Sequence, residues 1–200
     1  MDGGRISFEK QIFSGVPQVA EILALPALVR ISLFEEGVPK YFFYRRYAAD
    51  PVLSVIHLEG RSPCVRFGSD RGGMIVVDSA SESVMHVSES RKRVSFVNTA
   101  VGKFTETALT LTERFPYGAN FGGFEGAGAA ADGIREIIRS IDVAAAVPGS
   151  YWPDFADEVD GHLYGMEEIL EWYQSKLPFP SVADLADPEQ GENNDSGDRL

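Results

Sequence analysis

Three histidines, one cysteine and several carboxylates are the side chains of this 200-residue chain that could carry chemistry. His57, His86 and His162 could ligate a metal or move a proton. None of them has a second histidine or cysteine at metal-ligand spacing. His57 and His86 stand in strand patterns, where a solvent-facing ring or a satisfied core imidazole is the simpler reading. His162 follows Asp160 and Gly161 near an expected helix end, where it could bond free carbonyls. Cys64 sits in an apolar strand pattern with no local feature to lower its pKa, and as the only cysteine it cannot form an internal disulfide. No Gly-x-Ser-x-Gly elbow is present. Glu35-Glu36 and Glu167-Glu168 are adjacent on expected helices, so their side chains diverge and surface charge is the default reading. The glycines at 118, 122, 123, 126 and 128 follow a helix and a loop rather than a strand, which argues against a phosphate cradle. The expectation is a protein without a catalytic set, a metal or a cofactor.

The elements that would position these groups read as a sheet with helices. Cys64 to Phe67 and Met74 to Val77 are apolar runs separated by Gly68 to Gly73, a hairpin signal. Asp78 to Ser83 interrupts the β-branched run, and Val84, Met85 and Val87 give the next strand of an antiparallel meander. Val94 to Val97 reads either as another strand or as an extended lead into a helix. Asn98 or Thr99 offers an oxygen to a helix start, and Val101, Phe104, Ala108, Leu111 and Phe115 follow at helical spacing. Upstream, Val19, Ile22, Leu23, Leu28, Ile31 and Phe34 suggest helical segments divided at Pro26. Tyr41 to Tyr44 and Leu53 to Leu58 read as strands, with Ala49-Asp50-Pro51 as the break. Residues 117 to 131 read as a flexible link. Ile134, Ile137, Ile138 and Ile141 then mark a helix ended by Pro148-Gly149. Tyr151-Trp152-Pro153 begins another, and Met166 to Leu177 a last one. The predicted fold is α+β, a mostly antiparallel sheet of about five or six strands packed against helices. Residues 1–180 form one domain and 181–200 an acidic, disordered tail.

Charge bounds the partners. The net charge is −12, and residues 184–200 hold six acidic side chains against one arginine, which leaves −7 for the body. Such a body repels nucleic acid unless it builds a basic face, and the only compact basic run, Arg91-Lys92-Arg93, reads as a solvated turn. An acidic surface suits a basic protein partner instead, speeding encounter more than it adds affinity. No uninterrupted apolar run of membrane-spanning length is present, and the start MDGGRISFEKQ lacks a basic segment followed by an apolar one, so a cytoplasmic protein is expected.

The order of motifs carries a resemblance. Gly72-Gly73, a hydrophobic strand ending in Asp78, a second strand, and then FVNTAVGKF at 96–104 opening a helix resemble the fourth subgroup of the SUKH superfamily of bacterial immunity proteins. Residues 134–161, IREIIRSIDVAAAVPGSYWPDFADEVDG, are similar to that subgroup's C-terminal region, although Val143 stands between Asp142 and Ala144 and loosens the match. Gly37-Val38-Pro39 after an apolar helical stretch also fits, and the resemblance spans most of residues 17–165. It implies a binder rather than an enzyme: a protein that neutralises a toxin domain, often a nuclease. The alternatives are a regulatory scaffold of the same superfamily that binds an endogenous protein, and a small-molecule enzyme. The expected partner-binding residues lie in turns and near the Trp-Pro pair: Asp70, Asp78, Glu82, Glu89, Trp152 and Asp154. Turn chemistry explains Asp70 and Asp78 without a partner. Trp152 is read either as filler between helices and sheet or as an exposed aromatic anchor.

Overall fold

A computed structural model describes residues 9–14, 19–42, 46–70, 72–114 and 124–161, with backbone alone for 124–127. Among the described residues five helices and eight strands follow one another as β1 (Lys10–Gln11), α1 (Ala20–Leu23), α2 (Ala27–Ile31), β2 (Val38–Pro39), β3 (Tyr41–Phe42), β4 (Tyr47–Ile56), β5 (Cys64–Asp70), β6 (Gly73–Asp78), β7 (Val84–Ser88), β8 (Val94–Asn98), α3 (Val101–Glu113), α4 (Phe124–Ile141) and α5 (Tyr151–Asp160). The expected helix at 166–177, Phe115, His162, Glu167-Glu168 and the acidic tail lie outside the described residues.

Strands β3 to β8 form one six-stranded antiparallel sheet in chain order, and β1 pairs with β2 in a second, small sheet that the sequence did not announce. The architecture is α+β, as the alternating apolar runs and helical stripes predict. Val94–Asn98 is a full strand rather than a lead into α3. Gly68, Ser69 and Asp70, read as turn, extend β5, so the hairpin to β6 is tight: Asp70 is paired with Gly73. Ala49-Asp50-Pro51 does not break the strand. It lies in ten-residue β4, whose register with β5 jumps between Ala49 and Ser54, and Arg66 pairs with Asp50, its Nη2 donating to Oδ1 at 3.2 Å. A bulge of this kind absorbs a proline because the extra residues leave the ladder.

One face of the sheet, carrying Val65, Phe67, Ile75, Val77 and Val84, joins the main core with Phe104 and Leu111 of α3, Ile134 and Ile138 of α4, and Trp152 and Phe155 of α5. Pairing places Val76 and Met85 together on the other face, where they join Ile56, Leu58, Cys64 and Val87 in a smaller cluster. The α3 stripe packs as its spacing requires. α4 starts at Phe124, so Gly126 and Gly128 belong to a helix rather than to a flexible link. Its last turn passes through Asp142 into a 3₁₀ turn at Val143–Ala146 before Pro148 is reached.

The N-terminal helices are arranged less simply. α2 runs on into a π turn at Ser32–Glu36, ended by Gly37 at φ +76°. The residues facing the core are Ile22, Leu25, Val29 and Leu33. Of the apolar positions that suggested the helices, Val19, Leu23, Leu28 and Ile31 face outward.

Candidate functional site

In an antiparallel meander consecutive turns alternate between the two ends of the sheet. Asp70 and Glu89 flank turns at one end, and Asp78 and Glu82 share a turn at the other. The turn carboxylates expected to bind a partner therefore fall at opposite ends of the sheet and share no surface there.

At the first end the Asp70 carboxylate is almost buried on the core face. His86 Nε2 lies 3.0 Å from its Oδ1, and the Gly72 amide donates to the same oxygen at 3.0 Å. Gly73 makes the His86 contact possible, because a Cβ there would stand 2.1 Å from the Val87 carbonyl oxygen and 2.7 Å from His86 Nε2. Burial by itself would raise the Asp70 pKa. The hydrogen bond and electrostatic attraction of His86, with the Gly72 amide and Arg46, outweigh it and hold the carboxyl below the usual value. Beside this pair Arg46 meets Glu158 of α5, its guanidinium 4.9 Å above the Tyr151 ring and 5.1 Å above that of Phe155. Burial pushes the Tyr151 phenol well up, against the pull of Arg46. An aspartate and a histidine in contact could form an acid-base couple. Among the described residues, however, no hydroxyl or thiol bonds His86, and the ring packs 5.7 Å from Tyr151 beneath α5. The cluster clamps α5 to the end of the sheet.

Glu89 is exposed at the same end, its amide donating to the Gly72 carbonyl at 3.0 Å. The basic run next to it is a turn with Arg91 at φ +57°, and Arg93 pairs with Asp154 of α5 at 3.3 Å, both side chains exposed. This rim therefore mixes both signs of charge. At the opposite end Asp78 is buried and closes its own turn, Oδ1 accepting from the amides of Ala80 at 2.8 Å and Ser81 at 2.9 Å. Glu82 stands in that turn at φ +61° and is partly exposed.

Trp152 has no exposed surface. Its ring sits edge-on to Phe42 at 5.3 Å, and its indole donates from Nε1 to Asn98 Oδ1 at 2.8 Å. Asn98 in turn donates from Nδ2 to Asp142 Oδ2 at 3.2 Å, and the same carboxylate oxygen accepts from the Thr99 amide at 2.7 Å and hydroxyl at 3.0 Å. Asn98 and Thr99 do not cap α3, whose N-cap is Ala100 without a side-chain bond. They tie the end of β8 to the turn after α4 and to α5. As an aromatic anchor Trp152 offers no surface, and Asp70 and Asp78 are occupied by bonds within the chain; Glu82, Glu89 and Asp154 remain accessible. Arg46, Glu158 and Tyr151 were not singled out in the sequence, and at a separation of more than a hundred residues the Arg46–Glu158 pair leaves no local signal.

Cys64 is buried, and burial, with Asp78 adding to it, pushes the thiol up to about 11, which makes it inert. His57 is exposed just beyond β4. Among the described residues no group of three or more histidine, cysteine, aspartate or glutamate side chains could hold a metal, and no helix is long and apolar enough to cross a membrane. No curated protein and no solved structure matches the chain. The sequence model of one family does, over residues 11–158, a span that begins in β1 and ends within α5 and so takes in the sheet, the Asn98–Asp142–Trp152 bonds and the α5 clamp. The chain belongs to that family, described as SUKH-4 immunity protein.

Proposed function

We propose that the protein is an immunity protein that acts without catalysis, in the cytoplasm, by binding a toxin domain and covering its active site. The observation that carries this reading is the family match across the sheet and both clamping clusters. The charge supports a basic partner such as a nuclease, whose cleft for phosphates would accept carboxylates in their place: the body outside the tail holds −7 of the −12. Exposed carboxylates, Glu82, Glu89 and Asp154 among them, contribute to the field that steers encounter, and a field of this kind acts on the association rate more than on the final contacts. Residues 1–180 act as one domain, with the acidic tail outside it.

The test is co-expression with the toxin domain encoded beside the gene. Growth should be restored, and a one-to-one complex should survive purification. Failure to form a complex together with failure to protect would overturn the reading.

A further inference from the structure

The outward face of α1 and α2 is apolar where a surface helix is expected to be polar. The core takes Ile22, Leu25, Val29 and Leu33, at spacings of three, four and four. That leaves Leu28 70 % exposed, Leu23 45 % and Ile31 36 %, with Val19 a turn before Leu23. Ile12, 48 % exposed, continues the face: a Cβ at Gly37 would stand 2.9 Å from its Cγ1, and the Phe13 amide donates to the Leu33 carbonyl. A helix apolar on both sides must cover its second side with something.

What covers it is indicated by the end of the helix. Glu35 and Glu36 stand in the last turn, Glu35 in line with Leu28 and Ile31, and that turn holds no basic residue. Two carboxylates at a helix C-terminus add to the negative end of the peptide dipoles, a place that favours a cation. Glu36 accepts a bond only from the Ser32 hydroxyl among the described residues, and neither carboxylate is in an ion pair there. Arg30 lies off the Leu28–Ile31–Glu35 line, on the flank of α2, and Lys10, whose Cβ borders Gly37, is in no ion pair with either carboxylate among the described residues. A second copy docked through the same face would bring no lysine or arginine on the Leu28–Ile31–Glu35 line, only the same two carboxylates.

We propose that this face, with Leu23, Leu28 and Ile31 as anchors and Glu35 and Glu36 at its end, docks a toxin domain that presents an apolar patch beside a lysine or arginine. The inference rests on the immunity reading and places its interface away from the sheet turns.

The test uses the full chain and the toxin domain encoded beside the gene, with affinity measured by calorimetry and mass by light scattering. The Leu28→Asp/Ile31→Asp double variant should bind at least about 100-fold more weakly while melting close to wild type, as expected for anchors at the centre of an interface. Glu35→Gln/Glu36→Gln should lose about tenfold, mostly in association rate, and the loss should fade at high salt. Val143→Asp, at an exposed apolar site on the turn after α4, should bind as wild type does. If the aspartates unsettle the fold, Leu28→Ala and Ile31→Ala give the same comparison with about tenfold losses. Binding within threefold of wild type by the double variant overturns the proposal. So does a wild-type dimer that this variant splits. A wild type that neither binds nor protects overturns the immunity reading itself, and this surface with it.

Discussion

Replacing Asp142 by alanine tests whether the bonds joining β8, α4 and α5 hold the fold together. Its Oδ2 accepts from the Thr99 amide, the Thr99 hydroxyl and the Asn98 amide. Thr99 itself is exposed, so its hydroxyl regains water at little cost. The other two donors do not. Asn98 is fully buried and its Nδ2 would keep only a 3.5 Å contact with Thr107, while the Thr99 amide loses a part-buried bond of 2.7 Å. An unsatisfied buried donor costs about 1–3 kcal/mol, and relief from burying the carboxylate offsets part of that, so a net loss of about 3 kcal/mol is expected. With a urea slope of about 2 kcal/mol per molar, the unfolding midpoint falls by roughly 1.5 M at neutral pH. Asp142→Asn keeps an acceptor oxygen and should lose about 1 kcal/mol. Combining Asp142→Ala with Asn98→Ala should show a coupling energy of at least about 1 kcal/mol, since the two side chains share one network. A loss below about 0.5 kcal/mol for Asp142→Ala, or additive single effects, would refute the reasoning.

Three further expectations follow from the other clusters. Gly73→Ala should destabilise by about 3 kcal/mol in urea melts, because the new methyl meets the Val87 carbonyl oxygen and the strands must part; His86 resonances should shift with it. The folded-state pKa of Asp70 is depressed, so its stabilising share is complete above the unfolded value of about 3.9 and is lost as pH falls through the lower folded value. Asp70→Asn should accordingly flatten the acid limb of stability below about pH 4. A limb unchanged from wild type would contradict the Asp70–His86 pairing. Cys64 should react with iodoacetamide at pH 8 at least about 100-fold more slowly in the native protein than in urea. Rapid native labelling would place it elsewhere.

Much of the sheet was legible because strand periodicity is local. The runs at 64–67, 74–77 and 84–87 are strands β5, β6 and β7, and the α3 stripe from Val101 to Leu111 is buried as its spacing demands. What misled was chemistry with two outlets. An asparagine and a threonine before an apolar stripe look the same whether they cap the helix or reach an aspartate more than forty residues on. Proline at 51 reads as a break unless the opposing strand is known to shift register. The stripe at 19–34 merged the inward and outward faces of α1 and α2, because both are apolar. Of the expected contact residues, the alternation of turns in a meander alone was enough to separate Asp70 from Asp78. The His86–Asp70 pair needed the register.

The bulge in β4 has a consequence for solubility. Beyond Ala48 no strand among the described residues pairs with the outer side of β4, which leaves the sheet a free margin where a second molecule could add its own strand. Pro51 lacks the amide such an addition would use, and the register jump kinks the strand where pairing would have to continue. The protein can therefore accumulate at high concentration without stacking edge to edge through this margin.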